Sequence, residues 1–302
     1  MFVGSPQSGS NTTLRMSERE FHREHGRIGT MICPLCRGKA VRHLPLPHTT
    51  IWRCRASHCG LEFASPQVSD DELRRIYTAT YYPSIDNSRP VKYGATPDSV
   101  LRQVLLQLEA SLGSLKGLRL LDYGCGRGPL SRIALELGLV PVGMEPDPVA
   151  RSISKASLGM PVYGSLEELR SQDLLAQFDL VILWNVIEHL RQPWSELQEI
   201  RRFLRPGGRL LVSTMNTRCL RARIESQRWE SYSNPTHLYY FDSGSLERVL
   251  RCGGFHTPQE WKPKIRYPHH GAVRRCLYEL STMFGVSDGL YYLCHLASST
   301  HL

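Results

Sequence analysis

Gly124, Gly126 and Gly128 occupy alternate positions of Asp122-Tyr123-Gly124-Cys125-Gly126-Arg127-Gly128-Pro129, directly after the largely apolar residues 118–121. Alternating glycine lets a backbone approach a ligand closely, and a helix opening at Pro129 would aim its unpaired N–H groups at the same place. That chemistry suits a nucleotide-type ligand. It is not the dinucleotide fingerprint, which needs glycine where Pro129 stands. Glu145 follows at the end of the apolar residues 139–144, where a carboxylate can hold both hydroxyls of a ribose. A second chemistry lies upstream. Cys33-Pro34-Leu35-Cys36 and Cys54-Arg55-Ala56-Ser57-His58-Cys59 form two knuckles that could present four thiolates to zinc.

The first knuckle has the usual two-residue gap, whereas the second has four residues between its cysteines, so His58 could replace one sulfur. A metal-free loop is the alternative. Four protein ligands would leave no open position, which makes this zinc structural and not catalytic. The other five cysteines (Cys125, Cys219, Cys252, Cys276 and Cys294) are isolated. Clustered pairs of this kind favour metal over disulfides in a cytosolic chain.

The glycine loop requires a strand before it and a helix after it, and the sequence supplies both. Residues 118–121, 139–144, 178–185 and 209–212 read as buried parallel strands, with a short one at 161–163. Helices are expected over 129–137, ended by Gly138, and over 147–158, ended by Gly159. Ser165 and Glu168 have capping-box spacing. Upstream, Thr96 caps and Pro97 opens a helix with an apolar side of Val100, Leu101, Val104, Leu105, Leu108 and Leu112. Trp194, Leu197, Ile200, Arg201 and Leu204 form a further helical stripe. Residues 216–240 are too long for a simple turn, and insertions above the carboxyl ends of parallel strands build substrate pockets. Within them, Trp229 and Tyr239 are expected as pocket walls. A helix follows over 243–252, then strands near 255–261 and 290–297 flank a basic segment, 262–275. His269 and His270 there read as a solvated loop.

Taken together, the glycine loop, Glu145, Trp184-Asn185-Val186-Ile187-Glu188-His189 and the Pro206-Gly207-Gly208 turn before a strand resemble the class I S-adenosylmethionine-dependent methyltransferases. The resemblance covers residues 118 to about 258. It implies an α/β fold with a Rossmann-like seven-stranded methyltransferase sheet, preceded here by a small zinc-ribbon module. It also implies that Asp122, Gly124, Gly126, Gly128, Glu145 and Asn185 bind S-adenosylmethionine. The family often carries an acid after strand three for the adenine amino group; Gly164-Ser165 stands there, leaving backbone or Leu166. Residues 60–82 and the run from Asn234 to Phe241 resemble segments of a bacterial subgroup acting on sugars and other small molecules.

The division expected is a disordered tail (1–30), a zinc ribbon (31–66), a helix and linker (67–97), the methyltransferase core (98–258, with the substrate insertion 216–240) and a C-terminal hairpin (259–302). The tail lacks the basic start and apolar core of a signal peptide. No uncharged apolar stretch approaches the ~20 residues of a membrane span, so no membrane insertion and a cytoplasmic location are expected. A net charge of +9 invites a nucleic-acid partner, yet the arginines are scattered, which favours a solvated face and makes nucleic acid the lesser partner.

Methyl transfer to a hydroxyl needs a base for its proton, and His237 and His189 are the candidates, with His237 slightly favoured because of its place in the insertion. Ubiquinone-pathway O-methyltransferases resemble this stretch but carry an acid where Asn185 stands, which speaks against metal-assisted catalysis here. The reading is thus a methyltransferase acting on a small-molecule acceptor (sugar, lipid or secondary metabolite) by O-methylation, with structural zinc. The alternatives are a ribosomal RNA guanine methyltransferase and an inactive zinc-ribbon binding protein. Oligomeric state is silent.

Overall fold

The computed structural model describes residues 30–77, 96–265 and 287–296. The expected tail, most of the linker, His269, His270 and Cys276 lie outside those residues.

The N-terminal part is antiparallel: β1 (Met31–Ile32), β2 (Lys39–Pro45), β3 (Thr50–Cys54) and β4 (Glu62–Ser65), followed by α1 (Asp70–Ile76). The knuckles sit in the turns after β1 and β3. Ser69 caps α1 by accepting from the Glu72 N–H.

Then comes α2 (Asp98–Leu112), with Val100, Leu101, Val104, Leu105 and Leu108 buried as its spacing demands. Its cap differs from expectation. Pro97 is the N-cap and no side chain closes it; Thr96 Oγ1 instead accepts from Trp184 Nε1 at 2.9 Å. The indole N–H outcompetes the helix end for that hydroxyl.

The central sheet is built from β5 (Arg119–Tyr123), α3 (Pro129–Glu136), β6 (Val140–Met144), α4 (Pro148–Leu158), β7 (Val162–Tyr163), α5 (Leu166–Ser171), β8 (Phe178–Trp184), α6 (Pro193–Arg201) and β9 (Leu204–Met215). These strands are parallel neighbours, and their buried apolar runs are those of strands covered on both faces. Leu204 belongs to β9 and not to the helical stripe before it, since it pairs with Phe178; the Pro206-Gly207-Gly208 turn then makes an irregularity in the ladder, with Gly207 at φ +77°, before pairing resumes at Arg209. Ser165 caps α5, but the Glu168 carboxylate accepts from Gly164 N, one residue short of a full box.

The insertion holds α7 (Leu220–Glu225), α8 (Glu230–Ser233) and β10 (Tyr239–Tyr240). After it come α9 (Ser243–Cys252), boxed by Asp242 and Ser245, then β11 (Gln259–Glu260) and β12 (Gly289–His295), which pair antiparallel. The seven-stranded order is β11-β12-β9-β8-β5-β6-β7. From β5 the chain winds one way to β6 and β7, then returns to the other side at β8. That reversal opens a crevice at the carboxyl ends of β5 and β8.

The insertion does not end on the central sheet. Tyr239 pairs with Phe63 and Tyr240 with Glu62, which makes β10 the fifth strand of the N-terminal sheet. Among the described residues, no helix is long and apolar enough to cross a membrane.

Candidate active site

A cavity of about 560 Å³ fills the crevice. Asp122, Gly124 and Cys125 enter it from the end of β5, Trp184, Asn185, Glu188 and His189 from the end of β8, and Thr214 and Met215 from β9. Glu230, Ser231, Asn234 and His237 roof it from the insertion, while Gly289 and Tyr291 close the β12 side.

Gly124 has φ +74°, and a Cβ there would come within 2.6 Å of Val186 Cγ2. Gly128, at φ +84°, is the N-cap of α3, where a Cβ would meet Leu158 and Ser154. Side chains are excluded at both places by conformation and by space. Asp122 is buried, accepts from Ser131 Oγ at 2.6 Å, and is pushed up to about 6 by burial. Glu145 accepts from Gly126 N and from Asp147 N, both at 2.8 Å, and burial pushes it up to about 7. The glycine loop and the acid after β6 are thus one hydrogen-bonded unit. Of the six cofactor candidates, Asp122, Gly124 and Asn185 line the cavity; Gly126, Gly128 and Glu145 do not, and are joined to it through the loop that Gly124 begins. Asn185 lies in the left-handed region at φ +53°, and its Oδ1 accepts from Ser213 Oγ at 3.2 Å. Asn tolerates that conformation better than most residues.

The two histidines stand edge to face with ring centroids 4.8 Å apart. His189 Nδ1 lies 3.0 Å from the Thr236 carbonyl, so it carries the proton and donates, with Tyr77 Oη at 3.2 Å sharing it. This leaves Nε2 as the lone-pair nitrogen, with no hydrogen-bond partner among the described residues. His237 is engaged on both sides. Its Nδ1 donates to the Ser231 carbonyl at 2.8 Å, and its Nε2 accepts from Asn234 Nδ2 at 3.0 Å. The Asn234 orientation is set by its Oδ1, which accepts from both Thr236 N and Thr236 Oγ1. Burial pulls His189 down to about 4 and His237 well below the usual imidazole range, so both are neutral at pH 7. Glu188, almost wholly buried, accepts from Thr214 Oγ1 at 2.9 Å and is pushed up to about 7 by burial. Ligand-type atoms of Glu188, His189 and His237 lie within 4.8 Å of one another.

Trp229 and Tyr239 are not pocket walls. Trp229 packs edge-on against Tyr232 under the insertion, and Tyr239 sits in β10 with its hydroxyl donating to the Arg191 carbonyl. Trp229 packs with Ile51 and Ala64 of the N-terminal sheet and Tyr239 pairs with Phe63, and the aromatic walls are Trp184 and Tyr291 instead. Glu188 stands in the quoted motif without a role, and Tyr77 lies within residues 60–82; only the fold brings Tyr77 to His189.

At the N-terminal site, Cys33, Cys36, Cys54 and Cys59 come together with all sulfurs within 4.8 Å of one another. Sulfurs about 2.3 Å from a tetrahedral zinc stand ~3.8 Å apart. The Cys33–Cys59 and Cys36–Cys54 separations are 3.8 and 3.4 Å, so the set fits that ion. The Cys59–Cys33 hydrogen bond pulls the Cys33 thiol down and pushes Cys59 up, while burial pushes Cys54 up. His58 is exposed and outside this set, its carbonyl accepting from Arg248, so it replaces no sulfur.

Residues 95–259 match a protein family described as "Methyltransferase domain", more than half of the chain. A ubiquinone biosynthesis O-methyltransferase of Cereibacter sphaeroides is 29% identical over 188 residues, 54% of this chain and 75% of that protein. One from Ruegeria pomeroyi is 30% identical, covering 56% of this chain and 77% of its own. The crystal structure of Burkholderia thailandensis 1,6-didemethyltoxoflavin-N1-methyltransferase, with bound 1,6-didemethyltoxoflavin and S-adenosylhomocysteine, shares the fold at a TM-score of 0.51 and 17% identity. It covers 85% of this chain and 99% of that one. With its seven-stranded sheet and its glycine loop at the strand-order reversal, the chain belongs to the methyltransferase-domain family and is a class I S-adenosylmethionine-dependent methyltransferase.

Proposed function

We propose that this enzyme methylates an oxygen of a small-molecule acceptor, with His189 as the base. The observation that carries the reading is the single cavity into which both the glycine-loop end of β5 and the two histidines open. The O-methyltransferase names of the relatives support the acceptor atom. When bound, S-adenosylmethionine supplies an electrophilic methyl group on a sulfonium. Gly124, Gly126 and Gly128 would let its backbone-proximal parts lie close, Glu145 would accept from the ribose hydroxyls, and Asp122 and Asn185 would line the cavity end. His189 Nε2 would take the proton of the acceptor hydroxyl as that oxygen bonds to the methyl carbon and the carbon–sulfur bond breaks, the electron pair going to sulfur and S-adenosylhomocysteine leaving. The Thr236 carbonyl holds Nδ1–H in place and stabilises the charge that forms. His237, with both nitrogens engaged, is better suited to bracing the roof, which reverses the order expected from the sequence.

The four cysteines would hold a structural zinc that ties β1 and β2 to β3 and β4. An RNA acceptor is disfavoured by the five carboxylates on the cavity wall. The testing experiment is incubation with methyl-labelled S-adenosylmethionine and fractionated cell extract. Label in an alkali-stable methyl ether of a small molecule supports the reading; label confined to RNA or protein refutes it.

A further inference from the structure

We infer that the acceptor carries a protonated amine beside its methylated hydroxyl, an inference that rests on the proposed function and concerns the same cavity. The chain bears a net charge of +9, yet the described residues on the cavity wall include Asp98, Asp122, Glu188, Glu230 and Asp288 and neither lysine nor arginine. Two of these acids are already matched from outside the wall, Asp98 by Arg132 and Asp288 by Arg221 at 3.6 Å. Asp122 stands at the glycine loop, on the cofactor side. Glu188 and Glu230 remain, one on the floor beside His189 and one in the roof beside Ser231. Neither has an ion pair among the described residues.

The histidines cannot supply the missing charge. Both donate Nδ1–H to backbone carbonyls, and burial keeps them neutral. Glu188 is therefore an acid held out of water, which burial keeps partly protonated near neutrality; a cationic ligand beside it would favour the carboxylate and relieve that burial.

The aromatic side of the same wall agrees. Trp184 and Tyr291 stand with ring centroids 5.7 Å apart and planes 37° from one another. Aromatic rings and acids lining one cavity attract an ammonium by quadrupole and by charge together. The cavity with its aromatic wall is what marks a ligand; the carboxylates decide its charge. A phosphate- or carboxylate-bearing acceptor would face the acids with neither lysine nor arginine on the described wall, whereas an amino alcohol, amino sugar or amine-bearing phenol would satisfy them.

Three probes of one shape separate the charges: tyramine (cation), 4-ethylphenol (neutral) and 4-hydroxyphenylacetate (anion). Each is titrated calorimetrically into full-length protein saturated with S-adenosylhomocysteine at neutral pH. Tyramine is expected to bind about tenfold tighter than 4-ethylphenol, with the anion weakest. In Glu188→Gln and, separately, in the more exposed Glu230→Gln, that preference should shrink severalfold while 4-ethylphenol binding changes little. The inference is overturned if tyramine shows no preference or no binding, or if neither variant reduces the preference. It is also overturned if magnesium chloride displaces tyramine from the wild type and loses that ability in Glu188→Gln, which would assign the carboxylate to a metal ion. Failure of S-adenosylhomocysteine itself to bind would refute the proposed function as well; its binding without charge discrimination refutes the amine alone.

Discussion

Removing the carboxylate of Glu62 tests whether the N-terminal sheet is fastened to the catalytic insertion as the contacts indicate. Glu62 is 3% exposed, in β4. Its Oε1 accepts from Arg53 Nε and Nη2 at 2.8 and 2.5 Å, and its Oε2 accepts from Tyr232 Oη, in α8, at 2.8 Å. In Glu62→Ala the buried Tyr232 hydroxyl loses its acceptor, a loss of about 1–3 kcal/mol. Arg53 is 43% exposed and can turn to water, so its share is at most about 1 kcal/mol. The space left behind adds about 1 kcal/mol, for a total of about 2–5 kcal/mol. Glu62→Gln keeps an acceptor for Tyr232 and should lose about 1–1.5 kcal/mol. Urea denaturation followed by circular dichroism reads both, and the slope with denaturant should stay constant if only stability changes. A double-mutant cycle with Tyr232→Phe should show a coupling of at least about 1 kcal/mol. Loss of less than about 1 kcal/mol in Glu62→Ala, or zero coupling, would show that strand pairing alone joins the two parts and that the carboxylate is incidental.

Four further outcomes are expected. Freshly purified reduced protein should contain about one zinc per chain, and Cys36→Ser should lose it and loosen the N-terminal sheet, read by metal analysis and proteolysis; metal-free wild type would refute this. Glu145→Ala should weaken S-adenosylmethionine binding roughly ten- to hundredfold by calorimetry. Because burial raises Asp122 to about 6 and Glu145 to about 7, both carry a proton below those values, so affinity for the cationic cofactor should rise as pH climbs from about 5 to 8; a flat profile refutes that assignment. His189→Gln should lower turnover by roughly 10²–10⁴ with cofactor affinity kept, and should abolish a rising limb that lies near pH 4, where His189 loses its proton, and not near neutrality. Near-normal turnover in that variant would mean that positioning alone suffices.

Much of the central sheet was legible because its strands are buried on both faces and punctuated by glycine. Leu120, Leu121, Val181, Ile182 and Leu183 announce themselves as a doubly covered sheet wherever they are placed. Gly138, Gly159 and Pro129 marked helix ends that the backbone obeys. The roles within the cavity were less legible, since they depend on contacts between segments far apart in sequence. Neither histidine shows in the sequence which nitrogen is occupied; the Thr236 carbonyl and Asn234 amide decide that. Trp229 and Tyr239 were placed on the wrong surface because an insertion has no periodicity by which to assign its faces. The lone acid in Leu61-Glu62-Phe63-Ala64 was the one available signal that this strand meets a polar partner, but nothing nearby named Tyr232.

The pairing of β10 with β4 also dictates an order of events during synthesis. The first four strands can fold around their cysteines as soon as they leave the ribosome, while Tyr239, the partner of Phe63, is still far from being made. Through that interval the outer side of β4 presents unpaired backbone groups, Ala64 N–H among them, which ends bonded to the Leu238 carbonyl. An unpaired edge strand is a template for any passing strand, another nascent chain included. A fragment that stops before residue 239 would keep that edge permanently open. The N-terminal sheet is therefore not a detachable unit, and grafting it onto another enzyme would carry over an open edge that the insertion closes here.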